Sequence, residues 1–166
     1  MDELKIAGRH EWLDILGTGT TAAQVWSMMG EGFTSLDENP GAQTDSKIYI
    51  HQKSATVTTK SYETTFPFST DTIMSEAAVK YIYDVARNHK TGADAITDYI
   101  RIELWDEVGT DTKMYRARKF RVAIAVDSIS GAGGETGVIS GNLNAQGDPI
   151  DGVWDFAAKE FVPTEE

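Results

Sequence analysis

The sequence predicts a mainly β fold, antiparallel, with one helix laid against a sheet. Three observations carry this reading. "YIRIELW" alternates along its length, "GTDT" turns the chain, and "KFRVAIAVDSI" alternates back. That is the period-two pattern of a hairpin. From Thr72 to His89 the apolar residues follow helical spacing on one side only, so the helix lies on something flat. The rest is divided by turn residues into short strand-like runs, with no internal repeat and no linker.

The elements follow in chain order. "ELKIAG" places Leu4 and Ile6 on one face of a first strand. "GTGTT" is a loop leading to a strand at Trp26. "VWSMMGEGFTSL" is an extended segment that Gly30 and Gly32 bulge or bend. "DENPGAQTDS" is a loop, because Asn39-Pro40-Gly41 is strong turn chemistry. "KIYIHQ" and "ATVTTKSYETTFPF" read as two extended segments, the second with a wet threonine face. Pro67, which cannot donate to a ladder, places the end of the second at an edge or strand end.

The helix is capped by Asp71 or Thr72, with Glu76 in its first turns. Its stripe is Ile73, Ala77, Ile82, Val85 and Ala86, and Gly92 lies beyond its end. In the hairpin, Ile100, Ile102 and Leu104 oppose Arg101, Glu103 and Trp105. Phe120, Val122, Ile124 and Val126 point inward, and Arg121, Ala123 and Ala125 outward. "SGAGGETG" is a flexible loop, and "VISGNLNAQGDPIDGVWDF" reads as a last hairpin around Gly147-Asp148-Pro149.

Composition narrows the function classes. A chain of 166 residues is one domain, 1–166. It can bury about 70% of its unfolded surface without cross-links. It has no cysteine, hence no disulfide or thiolate metal site. "MDELKIAGRH" lacks the apolar core of a signal peptide, and no apolar run approaches the ~20 residues of a membrane span. A soluble, cytoplasmically made protein with no membrane contact is expected. The net charge of −11 opposes binding to a phosphate backbone. The basic run Arg116, Arg118, Lys119 and Arg121 reads as the outer face of a strand.

Catalytic chemistry finds little support. Gly17, Gly19 and Ala22 spell G-x-G-x-x-A, with Asp37 downstream, like a dinucleotide fingerprint. That motif works only inside a βαβ unit, and the hairpins here leave no room for one. His10, His51 and His89 are scattered without metal-ligand spacing. "DENPGAQTD" lacks the alternation and closing glutamate of a calcium loop. Neither a catalytic residue nor a cofactor is expected. Tyr81, Tyr83 and the four tryptophans (Trp12, Trp26, Trp105 and Trp154) read as packing or subunit-contact groups.

The blocks "VWSMMGEGFTSLDENP", "KIYIHQKS", "SYETTFPF" and "AAVKYIYDVA", in that order, resemble the tail tube (major tail) proteins of long-tailed bacteriophages. Trp26 to Leu36 and Tyr49-Ile50-His51 are their most specific parts. The resemblance runs to the hairpin ending at Val126, and the C-terminal forty or so residues match less distinctively. It implies an antiparallel β-sandwich or distorted barrel with one flanking helix. Six copies would form a ring, and stacked rings the tube that conducts DNA into the host. Implied partners are further copies of the chain and the tape-measure, terminator and distal tail proteins. Genomic DNA would pass without specific binding, and the location would be the virion.

Two alternatives stand beside it. One is an inner-tube subunit of a contractile tail, a bacteriocin or a secretion system. The other, of a different class, is a carbohydrate-binding β-sandwich, which needs an exposed aromatic platform. In a tube, Asp37, Glu38, Asn39, Pro40 and Gly41 would belong to a loop that orders between rings. Thr56, Thr58 and Thr64, short and polar, would face a lumen through which DNA must slide. The basic run would lie away from that bore, outside it or against a neighbour's acids.

Overall fold

The computed structural model describes residues 12–19, 24–109 and 113–164. Among them are the strands β1 (Trp12–Gly17), β2 (Trp26–Met28), β3 (Phe33–Leu36), β4 (Ala42–Lys47), β5 (Thr56–Tyr62) and β6 (Thr65–Asp71). Helix α1 (Ala77–Arg87) and a 3-10 turn (Gly92–Ala95) follow. The remaining strands are β7 (Ile96–Glu107), β8 (Met114–Ser130), β9 (Val138–Ala145), β10 (Ile150–Asp155) and β11 (Glu160–Pro163). All pairings between these strands are antiparallel. The fold is mainly β with one flanking helix.

The main sheet runs β2-β1-β7-β8-β9-β6-β3, with β10 also on β8 and β11 on β10. Its two ends, β2 and β3, come from one short stretch of chain. The path from Met28 to Phe33 spans at most about 18 Å, whereas seven flat strands would separate the ends by about 29 Å. The sheet must therefore curl, and it forms a half-barrel. Gly30 and Gly32 make the turn between its edges, Gly32 at φ +92°. They join two strands on opposite edges, where the sequence predicts one bent segment.

Alternation along the curled sheet supplies two cores. On one face Leu16, Tyr99, Phe120, Val122, Ile124, Phe66 and Phe68 pack with Ala78, Val79, Ile82 and Val85 of α1. On the other, Leu13, Ile15, Ile100, Ile102, Leu104, Tyr115 and Ala117 pack with Trp154, and Phe156 and Phe161 lie against them. The tryptophans, scattered in sequence, form two edge-to-face pairs. Trp26 meets Trp154 at 6.0 Å, and Trp12 meets Trp105 at 5.2 Å.

Helix α1 starts later than its sequence pattern. Asp71 ends β6, and the Thr72 N–H is taken by the Gly137 carbonyl, so neither caps a helix. Glu76 is the N-cap, without a side-chain capping bond. The buried stripe is Ala78, Val79, Ile82 and Val85, so Ile73 and Ala77 lie off it. The C-terminus closes in a Schellman arrangement. Lys90 N–H donates to Val85 O and His89 N–H to Ala86 O, with His89 itself at φ +47°. His89 thus occupies the left-handed position that glycine usually takes.

Five further expectations change. "DENPGAQTDS" is not all loop, because Ala42–Lys47 is strand β4. "KIYIHQ" is not a separate strand, because it forms the turn between β4 and β5. The threonine-rich run breaks at Glu63 into β5 and β6. Pro67 sits inside β6 and not at an edge or strand end: the pairing with β9 runs through it, and Asp37 N–H donates to its carbonyl. The last hairpin does not form between β9 and β10. Both run end to end along β8, Val138–Ala145 against Val122–Ser130 and Ile150–Asp155 against Met114–Lys119. The terminal hairpin is instead β10–β11. The strand expected at Leu4 and Ile6, together with His10, Ala22 and the tip of "GTDT", lies outside the described residues. Strand β1 is antiparallel to both its neighbours, so no βαβ unit starts at Gly17.

Candidate assembly interface

The strands β4 and β5 pair with each other and with no other described strand. Every residue in both is exposed. Six residues of strand make an arm about 20 Å long. Its tip and sides carry Ile48, Tyr49, Ile50, Val57 and Tyr62 in solvent, with Ile50 fully exposed. Tyr49 and His51 stack at the tip, 6.3 Å apart. Between Asp45 and Glu63 the chain has three lysines and no carboxylate. A lone hairpin is marginal in water, and clustered exposed apolar groups mark contact surfaces. The arm is thus an exposed surface with apolar groups clustered at its tip.

The root of the arm holds the residues read from sequence as a stacking loop. Asn39 and Thr65 exchange N–H···O bonds of 2.8 and 2.9 Å. Thr64 Oγ1 donates to Pro40 O at 3.3 Å, and Glu63 N–H donates to Gly41 O at 3.0 Å. Gly41 has φ +64°, and a Cβ there would collide with the Glu63 carbonyl oxygen. Asp37 and Asn39 are exposed, while Glu38 turns inward. These residues therefore anchor the arm, and the free segment lies farther out. Thr56 and Thr58 are exposed on β5, whereas Thr64 sits half-buried at the root and apart from them.

Glu38 enters a pocket of about 690 Å³ walled by Trp12, Leu36, Trp105, Arg101, Glu103 and Arg118. Arg118 Nη2 donates to Glu38 Oε1 at 2.7 Å, and its Nε lies 3.8 Å from Glu103. The Arg101 guanidinium lies 4.8 Å over the Trp12 ring. Although Arg101 reads as outward-facing in sequence, it is 3% exposed. Its Nε lies 3.8 Å from Asp14 and 4.0 Å from Glu38. Its Nη1 has no hydrogen-bond partner among the described residues. Behind it, Tyr99 donates its hydroxyl to the fully buried Asp14. Burial, then the Asp14 charge, pushes the Tyr99 hydroxyl well above the ordinary tyrosine range. Sequence alternation sets Arg101 with Glu103 and Trp105, opposite Ile100, Ile102 and Leu104, and misses that Arg101 is buried between Asp14 of β1 and Glu38.

The basic run straddles the two faces of β8 and does not form one outer face. Arg118 reaches Glu38, Arg116 lies 3.7 Å from Asp106, and Arg121 lies 3.4 Å from Asp98. The three arginines are thus matched by acids of the same chain, and Lys119 lies over the Phe161 ring at 5.7 Å.

A third surface is an open strand edge. Strand β7 pairs with β8 only as far as Ala123. Beyond it, Ile124–Ser130 has β9 on one side and no described strand on the other. A groove of about 520 Å³ there is bordered by Val85, Ala86, His89 and Lys90 of α1 and its C-terminal turn. Unpaired strand edges invite pairing with another chain. Among the described residues no three carboxylate or imidazole side chains converge as a metal site, and no helix is long and apolar enough to cross a membrane.

No family model and no curated protein sequence matches the chain. Among solved structures, one similar chain belongs to the cryo-EM structure of the anti-feeding prophage (AFP) baseplate, 6-fold symmetrised. The two align over 86% of this chain and 93% of that one, with 7% identity and a TM-score of 0.49. At this level of likeness no function passes from that structure to this chain.

Proposed function

We propose that this chain is a structural subunit that assembles with copies of itself into the tail tube of a phage-like particle. The observation that carries the reading is the β4–β5 arm, a basic, apolar-tipped hairpin exposed on both faces of an otherwise acidic protein. The order of sequence blocks resembling tail tube proteins supports it. So do the curled antiparallel sheet and its single flanking helix. The open edge Ile124–Ser130 offers lateral strand pairing within a ring. The arm offers the head-to-tail contact that lets rings stack without closing. In this account the protein catalyses no reaction, and its working parts are surfaces.

The tube would conduct DNA. A bore lined with cations would hold phosphates through many contacts, so a sliding wall is neutral or acidic. Thr56 and Thr58 are short, polar candidates for that wall. The pairing of Arg116, Arg118 and Arg121 with acids of their own chain keeps the basic run from acting as a phosphate ladder. Flexible tails, contractile tails, bacteriocins and secretion tubes all accommodate this role. A carbohydrate-binding role would need a flat aromatic platform. Trp12 and Trp105 meet edge to face, and Arg101 covers Trp12.

The test is replacement of Lys47–Thr56 by a two-residue Asn-Gly turn, followed by electron microscopy at high protein concentration. Wild type should form rings or tubes, and the variant should remain a folded monomer. Normal polymers from the shortened protein would remove the arm tip from assembly.

A further inference from the structure

The arm tip and the Trp12–Trp105 pocket are complementary, and they point to one contact. Between Asp45 and Glu63 the arm carries Lys47, Lys53 and Lys60 and no carboxylate, in a chain of net charge −11. The pocket has apolar walls from Trp12, Leu36 and Trp105, and it bears Asp37 and Glu103 beside the paired Glu38 and Arg118. Trp105 is half exposed. Arg101, 3% exposed and over the Trp12 ring, forms part of the pocket lining.

The arm cannot serve its own pocket. Its root at Gly41 adjoins Glu38 in the pocket wall, and β4 carries the tip about 20 Å away. A second copy can bring its tip in. We infer that the arm of one subunit docks in the Trp12–Trp105 pocket of the next, with Ile50 as apolar anchor and Lys47 and Lys53 against Asp37 and Glu103. Each copy offers one arm and one pocket, so the contact is heterologous and propagates from subunit to subunit. Opposite charges across it set orientation and speed encounter more than they add affinity. This inference rests on the self-assembly reading and names the receptor that reading lacks.

The chain has no cysteine, so paired cysteines report this contact cleanly. Ile50→Cys and Trp105→Cys are made as separate proteins, mixed and oxidised, with circular dichroism confirming that each is folded. A disulfide-linked dimer formed only in the mixture is expected. In parallel, Ile50→Glu and Trp105→Glu should each abolish polymers, and their mixture should stop at heterodimers, because one arm and one pocket remain intact. If wild type polymerises while the mixture gives no cross-link, or while Trp105→Glu still polymerises, the docking site is wrong and self-assembly stands. A cross-link in Ile50→Cys alone would mean tip-to-tip contact and would also overturn it. If wild type stays monomeric at high concentration, the self-assembly reading falls and this inference with it.

Discussion

Tyr99→Phe tests the buried polar group behind the pocket. The substitution keeps the ring among Leu16, Phe66 and Phe120 and removes only the hydroxyl that donates to Asp14. Tyr99 and Asp14 are both fully buried, so water cannot replace the bond. A hydrogen bond to a charged group contributes about 1.5–3 kcal/mol. For a domain of this size that is a fall in Tm of roughly 3–12 °C. The sign with pH follows from the raised hydroxyl. Unfolded tyrosine ionises near pH 10, whereas the folded group resists. The stabilisation is therefore complete below about pH 10 and declines above it by ~1.4 kcal/mol per pH unit until the folded group ionises. The phenylalanine ring of the variant has nothing to ionise. Urea unfolding of both proteins at pH 8 and pH 11 should show the wild-type advantage shrinking by about 1.4 kcal/mol. A gap below about 0.5 kcal/mol at pH 8, or one that does not narrow by pH 11, would refute the buried hydroxyl–carboxylate bond.

His89→Gly should raise stability by roughly 0.5–1 kcal/mol, since His89 holds a left-handed conformation at an exposed helix end; a lower melting temperature would contradict the Schellman assignment. Phe66→Ala should cost about 3–5 kcal/mol in urea unfolding, because Phe66 is fully buried against Tyr99 and Phe120. Gly41→Ala should misdirect the arm and reduce polymer formation in electron micrographs with little change in Tm, because its Cβ would meet the Glu63 carbonyl at the root. Unchanged polymers from that variant would mean that the angle of the arm does not matter.

What the sequence showed and what it hid divide along physical lines. The inward set Phe120, Val122 and Ile124 and the helix residues Ile82 and Val85 were legible, because local periodicity reports burial against one surface. The second core was only half legible. Ile100, Ile102 and Leu104 were visible, but Tyr99 and Arg101 on the opposite face are buried as well, and alternation cannot show a strand covered on both sides. The arm was hidden because β4 is polar on both faces and reads as loop, while its apolar tip reads as strand. Asp37 to Gly41 attracted attention as turn chemistry, which is correct for Gly41, but long-range pairs with Arg118 and Thr65 decide what the segment does. No local pattern encodes the joining of Trp12 to Trp105, or of Asp14 to Arg101, across β1 and β7. It follows from register.

The measurement that bears most directly on the account is a reconstruction of the particles that the purified chain forms at high concentration. The account predicts stacked six-membered rings with β4–β5 arms bridging subunits, and a bore without a net excess of lysine and arginine. Monodisperse single chains, or an assembly whose arms hang free in solvent, would contradict it.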